Sequence, residues 1–137
     1  MQDFTNTTQD NVEEVYDQLF APWIKQLGLH SIEVSDGKAS AIMPQDSSLF
    51  WLGGAICGQA IIAAIDTVAV LAMATSDRQA KGTVSLNTQF IRPAFKEDLR
   101  IEVAVLNFGR TIAYAEAKVT FVESEKLVAH ATLEFAF

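Results

Sequence analysis

The segment from Gly53 to Thr75, GGAICGQAIIAAIDTVAVLAMAT, is the most hydrophobic part of the chain, and it contains one charged residue, Asp66. An isolated carboxylate in an apolar interior lowers stability unless a partner compensates it. Three explanations are therefore open at this point. The segment crosses a membrane, Asp66 has a structural partner, or Asp66 takes part in chemistry.

A membrane span is the first explanation to test, because the twenty residues from Ala55 to Ala74 are long enough to cross a bilayer as a helix. The stretch contains Gln59 and Asp66, however, and an Asp at the centre of a span costs about 2.5–3.5 kcal/mol on insertion scales. No Lys or Arg precedes it closely, and the surrounding sequence has the alternation of a soluble sheet. We therefore expect no association with a membrane.

The composition is that of a single globular domain over residues 1–137. Half of the residues are hydrophobic and the net charge is −7, which favours solubility and speaks against nucleic-acid binding, since phosphate contacts need clustered Lys and Arg. One cysteine, Cys57, excludes an internal disulfide and a multi-cysteine metal site. The polar, acidic N-terminus has no features of a secretory signal, so we expect a cytoplasmic location.

Hydrophobic periodicity predicts peripheral helices within about residues 10–28, a central helix within about 54–75 and the main strands within 83–137. Short turns join the strands, which favours antiparallel pairing. The central helix is apolar nearly all round and must be surrounded, and alanine-rich strand faces permit close approach. The predicted fold class is α+β, with a curved antiparallel sheet of five to six strands wrapped around one long helix.

The segment Thr83–Ile91 is predicted to be a strand with one polar face. Because side chains alternate along a strand, the polar residues of this segment share one face, and apolar residues that include Val84 and Phe90 share the other. The polar set consists of Thr83, Ser85, Asn87 and Gln89. We expect a ligand or a second chain to meet this face, although Thr83 also fits as an ordinary strand residue.

Four short motifs follow one another in the chain. They are GAICGQ at 54–59, Asp66 seven residues after Gln59, Thr83 ten residues before the Pro-Ala pair of RPA at 92–94, and GRT at 109–111. In this order and spacing, the chain from Pro22 to Phe137 resembles the single-domain hotdog thioesterases of the PaaI-like group, which act on acyl-coenzyme A. The resemblance implies a hotdog fold, a homodimer or a dimer of dimers (a homotetramer), and a thioester site between protomers.

Three residues depart from the pattern of this family. Cys57 replaces the usual His, Gln59 replaces the second Gly, and Trp51 stands where some members have an Asn that orients the carbonyl. The stretch LGGAICGQAIIAA also resembles the amino-terminal half of double-hotdog acyl-CoA thioesterases, which is not the half usually credited with catalysis. Two alternatives therefore stay open: a non-catalytic acyl-thioester binding module and a hotdog dehydratase. The second is disfavoured because no His lies near the helix start.

The resemblance implies hydrolysis of an acyl-CoA thioester to a free acid and coenzyme A. The expected catalytic residues are Asp66 as base or nucleophile, the Gly58 N–H as donor to the oxyanion, Thr83 as a holder of water, and Gln59 as partner of the carbonyl or of Asp66. The expected substrate contacts are Cys57, Trp51, Asn87, Arg92 and Arg110. Coenzyme A enters as part of the substrate, and no other cofactor is expected.

Each of these residues also has a structural interpretation. Asp66 fits as a satisfied buried acid, and Gly58 fits as a position of tight packing. Cys57 fits as a small apolar residue, and Trp51 as a plug over the helix end. The two arginines fit as ordinary surface residues. Neither His30 nor His130 has neighbours with the spacing of metal ligands, so we expect no metal.

Overall fold

Three α-helices and six β-strands follow one another in a computed structural model, which describes residues 3–137. In chain order they are α1 (Val12–Leu19), α2 (Pro22–Lys25), β1 (His30–Ser35), β2 (Lys38–Met43), α3 (Gly58–Met73), β3 (Gly82–Phe90), β4 (Leu99–Phe108), β5 (Ile112–Phe121) and β6 (Leu127–Ala136). The strands form one antiparallel sheet in the order β1-β2-β4-β5-β6-β3, packed on α3. This architecture confirms the predicted fold class.

The central helix is shorter than the predicted range of 54–75. Gly54 has a positive φ of 92°, and Cys57 is extended, so the helix begins only at Gly58. The Cys57 N–H donates to the carbonyl of Leu49, which ties the preceding loop to the short 3-10 turn that ends there. Within residues 3–137, no helix has the length and apolar character that a membrane span needs.

Small side chains line the inner face of two strands of the sheet. The buried positions of β5 and β6 include five alanines: Ala113, Ala115, Ala117, Ala129 and Ala131. Larger buried residues fill the ends of the same faces, such as Val119 on β5 and Phe135 on β6. Alanine side chains take up little space, so other parts of the core can pack closely over these two strands.

A bulge at Val84 corrects the predicted faces of β3. The pairing with β6 shifts between Thr83 and the residues that follow Val84. As a result Thr83 lies opposite the buried Phe135, on the helix side of the sheet, where Leu86 also lies. Asn87 lies opposite an exposed residue of β6, on the outer side. The prediction that Thr83 and Asn87 share one face was therefore wrong.

Candidate active site

One side of α3 is left uncovered by the sheet. Its residues recur every three or four positions, and they are exposed or half-buried, whereas their neighbours are buried. We call this side the open stripe; it consists of Gln59, Ile62, Ala63, Asp66 and Val70. Such spacing places side chains on one face of a helix. Asp66 thus lies at the boundary of the hydrophobic core and not inside it, which explains how the helix tolerates the charge.

Thr83 is the partner of Asp66. The Thr83 hydroxyl donates a hydrogen bond to Asp66 Oδ1 at 2.6 Å, a length typical of a hydroxyl bound to a carboxylate. Among residues 3–137 no other side chain hydrogen-bonds this carboxylate, and no Lys or Arg forms an ion pair with it. The second carboxylate oxygen therefore remains available to accept a proton or to attack a carbonyl carbon.

The first residue of α3, Gly58, combines an unpaired donor with a close contact. Its N–H has no acceptor within the helix and lies at the positive end of the helix dipole. The ring of Phe90 packs against it, since a Cβ at Gly58 would lie 3.2 Å from Phe90 Cζ. Cys57, just before the helix, is half-buried against the core with a free thiol. A side chain at Gly58 would therefore require the Phe90 ring to shift by a few tenths of an ångström.

The loop before α3 carries two apolar side chains outward. Trp51 is 56% exposed, and Leu52 is fully exposed. The indole lies over Gly53, where an added Cβ would come within 2.2 Å of the ring, so any side chain at that position would displace Trp51. A hydrogen bond from the Gly54 N–H to the Trp51 carbonyl holds the turn at 2.9 Å.

Gln59 and Asn87 lie apart from the Asp66–Thr83 pair. Gln59 is exposed on the open stripe, one end of which it forms, and it makes no hydrogen bond to Asp66 in the described part of the chain. Asn87 is exposed on the outer side of β3. A contact of Gln59 with a substrate carbonyl is compatible with its place on the stripe, whereas Asn87 faces away from α3.

The two candidate arginines lie toward opposite ends of α3. Arg92 follows β3, two residues before Ala94, whose carbonyl accepts from the N–H of Ile56 just before the helix. Arg110 lies in the β4–β5 turn, where its carbonyl accepts from Arg78 Nη1 at 2.8 Å, and Arg78 comes shortly after the end of α3. One protomer therefore does not bring both arginines to the same phosphate.

The histidines lie away from the open stripe. His130 is on the outer face of β6, with Nε2 2.9 Å from Glu116 Oε1, and this hydrogen bond is the main reason that the pKa of Glu116 is lowered. His30 is on β1, at the edge of the sheet opposite to β3. In residues 3–137 no group of three or more His, Cys, Asp or Glu side chains is arranged to hold a metal ion.

Two contributors to this region were missed by sequence reasoning. Phe90 was read as one apolar strand residue among several, and nothing local indicates that it packs on Gly58. The polar N-terminal run was given no structure, yet the Thr7 N–H donates to the carbonyl of Ala74 at 2.9 Å. Backbone pairing between such distant segments leaves no periodic signal, so the alternation of side chains could not have revealed it.

An antiparallel sheet wrapped around one central helix is the hotdog fold. The sequence pattern of the thioesterase superfamily matches residues 53–129, which is more than half of the chain. The chain therefore belongs to the thioesterase superfamily.

Individual proteins agree with this assignment. A Thermoplasma volcanium protein named "Putative esterase" is 32% identical over 98 residues, covering 71% of this chain and 74% of that protein. Zebrafish thioesterase superfamily member 2 superposes with a TM-score of 0.85 at 24% identity, covering 95% of this chain and 98% of the other. The PaaI protein of the Escherichia coli phenylacetic acid degradation operon gives 0.83 at 19% identity, covering 93% and 90%. The two structures share the fold, and the match to the thioesterase superfamily confirms the predicted family resemblance.

Proposed function

We propose that this protein hydrolyses an acyl-CoA thioester to a free acid and coenzyme A, with Asp66 as base or nucleophile. The observation that carries the proposal is the 2.6 Å hydrogen bond from Thr83 to Asp66 on the open stripe of a thioesterase-superfamily fold. An accessible carboxylate oriented by a hydroxyl can activate water or attack a carbonyl. The structural interpretation of Asp66 as a buried, fully paired acid has less support, because its side chain is half-buried.

Two routes use the same residues. As a base, Asp66 takes a proton from water, which adds to the thioester carbonyl, and the proton then passes to the departing thiolate. As a nucleophile, Asp66 bonds to the carbonyl carbon and expels the thiolate of coenzyme A, leaving an anhydride that water hydrolyses. In both routes, a backbone N–H at the start of α3 stabilises the negative charge on the carbonyl oxygen.

The spacing of these groups supports a site shared between two protomers. Gly58 and Asp66 are eight residues apart on one helix, which separates them by about 12 Å along its axis. Reacting groups must approach one carbonyl to about 3–3.5 Å, so a single chain does not bring both to the same thioester. A twofold pairing with α3 antiparallel to its copy places Gly58 of one chain beside Asp66 of the other.

The edge strand β3 supports the same assembly. Its free edge adjoins the open stripe, and exposed apolar side chains surround it: Ile62, Val84, Phe90 and Ile91. Exposed apolar area beside an unpaired strand edge is typical of a protein interface. We therefore propose at least a homodimer, with a dimer of dimers as the larger assembly.

The alternatives make different demands on the site. A dehydratase of this fold would use a histidine with an acid, and both histidines lie away from α3. A non-catalytic binding module would bind acyl-CoA without releasing a thiol. Cys57 and Gln59 are the departures from the family that favour this reading, and a turnover assay separates it from hydrolysis.

The deciding experiment replaces Asp66 by Asn, which keeps the size and an acceptor for Thr83 but removes the base. Thiol release from a panel of acyl-CoAs should fall by about a hundredfold or more, since a positioned base contributes on that scale. Thermal stability should stay level or rise, because no ion pair is lost. Asp77→Asn, on an exposed residue after α3, is the matched control and should retain full activity.

Two results would contradict the proposal. One is an Asp66→Asn protein that is strongly destabilised yet nearly normal in specific activity in its folded fraction, which would make Asp66 structural. The other is a natural protein that binds acyl-CoA in calorimetry but releases no thiol from any member of the panel. That result would establish a binding module.

A further inference from the structure

A cavity of about 200 Å³ opens at the far end of the open stripe, beyond Asp66. Its walls come from the N-terminal segment, α1, α3, the loop from α3 to β3, β3 and β6; they are mainly apolar, and the loop adds the polar side chains of Gln79 and Lys81. The lining includes Phe4, Leu19, Val70, Ala74, Gly82 and Phe135. None of the residues predicted from the sequence to form the site belongs to this lining.

Three residues of the cavity lining adjoin the Asp66–Thr83 pair. Val70 lies four residues after Asp66, so its side chain is the next one on the same face of α3. Gly82 directly precedes Thr83, and Phe135 is paired opposite Thr83 on β6. The cavity therefore lies next to the carboxylate, on its side toward the α3 C-terminus.

The N-terminal segment closes the cavity from outside, and hydrogen bonds donated by its backbone N–H groups hold it in place. The N–H of Phe4 donates to Gln79 Oε1 at 2.9 Å, and the N–H of Asn6 donates to the carbonyl of Ser76 at 2.8 Å. Thr7 adds the bond to Ala74 described above. These bonds attach the segment to the end of α3, so that the half-buried ring of Phe4 forms a wall.

We propose that this cavity receives the distal end of the acyl group and that Phe4 sets the upper limit of its size. This inference rests on the proposed thioesterase function. An apolar protein cavity of about 150 Å³ admits benzene, so the slightly larger space here fits one ring or a branched chain of about six carbon atoms. Longer acyl chains must displace Phe4 and break the bonds that hold the segment.

The expected selectivity follows from burial. Each methylene that enters the cavity should improve binding about fourfold, the affinity ratio that corresponds to burying one CH₂ group. The improvement should stop when the cavity is full. Affinity should then level off or fall, because each further methylene either stays in water or opens the N-terminal segment.

Two variants should change the maximum size of the acyl group in opposite directions. Phe4→Ala removes a wall and should shift the preferred acyl group to longer chains. Val70→Phe fills the cavity from the helix and should shift the preference to the shortest groups, so the test does not depend on either variant alone folding well. Phe108→Ala is the control, because Phe108 is a half-buried phenylalanine at the end of β4, outside the cavity.

The measurement pairs turnover with binding, so that the two proposals fail separately. Thiol release is measured on saturated, branched and aryl acyl-CoAs, and calorimetry measures non-hydrolysable S-alkyl thioethers of coenzyme A from ethyl to dodecyl. The thioether series should peak near six carbons in the natural protein, at longer chains in Phe4→Ala, and at shorter chains in Val70→Phe. The control should leave the peak unchanged.

The possible results distinguish the cavity proposal from the hydrolase proposal. A thioether optimum that moves with Phe4 and Val70, in a protein that releases no thiol, supports the cavity and overturns the hydrolase. Thiol release with a chain-length optimum that neither variant moves overturns the cavity and leaves the hydrolase standing. A protein without turnover or thioether binding overturns both.

Discussion

The two edges of the sheet are built differently, although both are edges of the same six-stranded ladder. At β1, the side chain of Gln9 covers the free edge: its Nε2 donates to the carbonyl of Ile32 at 2.9 Å, and its Oε1 accepts from the N–H of Val34 at 2.8 Å. The strand is short, and its pairing with β2 is irregular after His30. Short, irregular and covered edges resist pairing with other chains.

At β3, in contrast, nine residues run along an edge that no other described segment pairs with. Val84 is 57% exposed and Phe90 is 50% exposed on this strand. Within one chain the two edges therefore differ: Gln9 covers β1, whereas β3 is uncovered beside Asp66 and Thr83, where the proposed second chain would pair. Substitutions at the two edges test this contrast.

The largest effect is expected from placing a charge on the open edge. Val84→Glu adds a like charge to each copy at the proposed interface, on a chain that already carries a net charge of −7. We expect a folded monomer in light scattering, with thioesterase activity lowered by about a hundredfold because one chain does not complete the site.

Leu106→Glu is the matched control for that variant, since Leu106 on β4 is 63% exposed and lies away from β3. It should keep both the assembly and the activity. A natural protein that is a stable monomer at micromolar concentration would contradict the proposal of a site shared between two protomers. A monomeric Val84→Glu protein with full activity would contradict it as well.

A smaller effect is expected at the closed edge. Gln9→Ala deletes both hydrogen bonds to β1 and leaves a backbone donor and acceptor to water, so the free energy of unfolding should fall by about 1–2 kcal/mol. Urea denaturation measures this loss, and activity in the folded fraction should not change. Gln18→Ala, which removes one bond to Glu14 on the same helix, should alter stability by less than about 0.5 kcal/mol. Equal effects of the two substitutions would show that Gln9 does not protect the edge.

The smallest effect is expected between the edges, on the outer face of the sheet. The hydrogen bond from His130 lowers the pKa of Glu116 from its ordinary value of 4.5, so the folded state favours the ionised carboxylate more than the unfolded state does. Its contribution is therefore present above that value and is lost as the pH falls through the lowered pKa.

Glu116→Gln should accordingly be slightly less stable than the natural protein at about pH 6, and the difference should be smaller at about pH 3. Denaturation at the two pH values measures the difference. Glu102→Gln, an exposed residue of β4 on the same face, is the control and should show a smaller dependence. A difference that persists at low pH would assign the effect to packing.

Sequence reasoning succeeded where a single element carries the information. The nearly continuous apolar run predicted α3, and the alternating alanines predicted the inner faces of β5 and β6, because both patterns follow from the period of one helix or one strand. The sequence did not predict where α3 begins and ends. There Gly54 and Cys57 adopt loop geometry that hydrogen bonds to neighbouring segments stabilise.

The sequence by itself determined that Asp66 lies on the central helix, eight residues after Gly58. Only the tertiary structure decided that Thr83 reaches it. Strict alternation turns Thr83 to the outer face, and the bulge at Val84 returns it to the helix side. A bulge depends on how β3 pairs with β6, more than forty residues away, so no local pattern in the strand announces it. No local pattern predicts the contacts of Gln9 with β1 or of Phe4 with the cavity either, because the fold as a whole sets contacts between segments that are far apart in the chain.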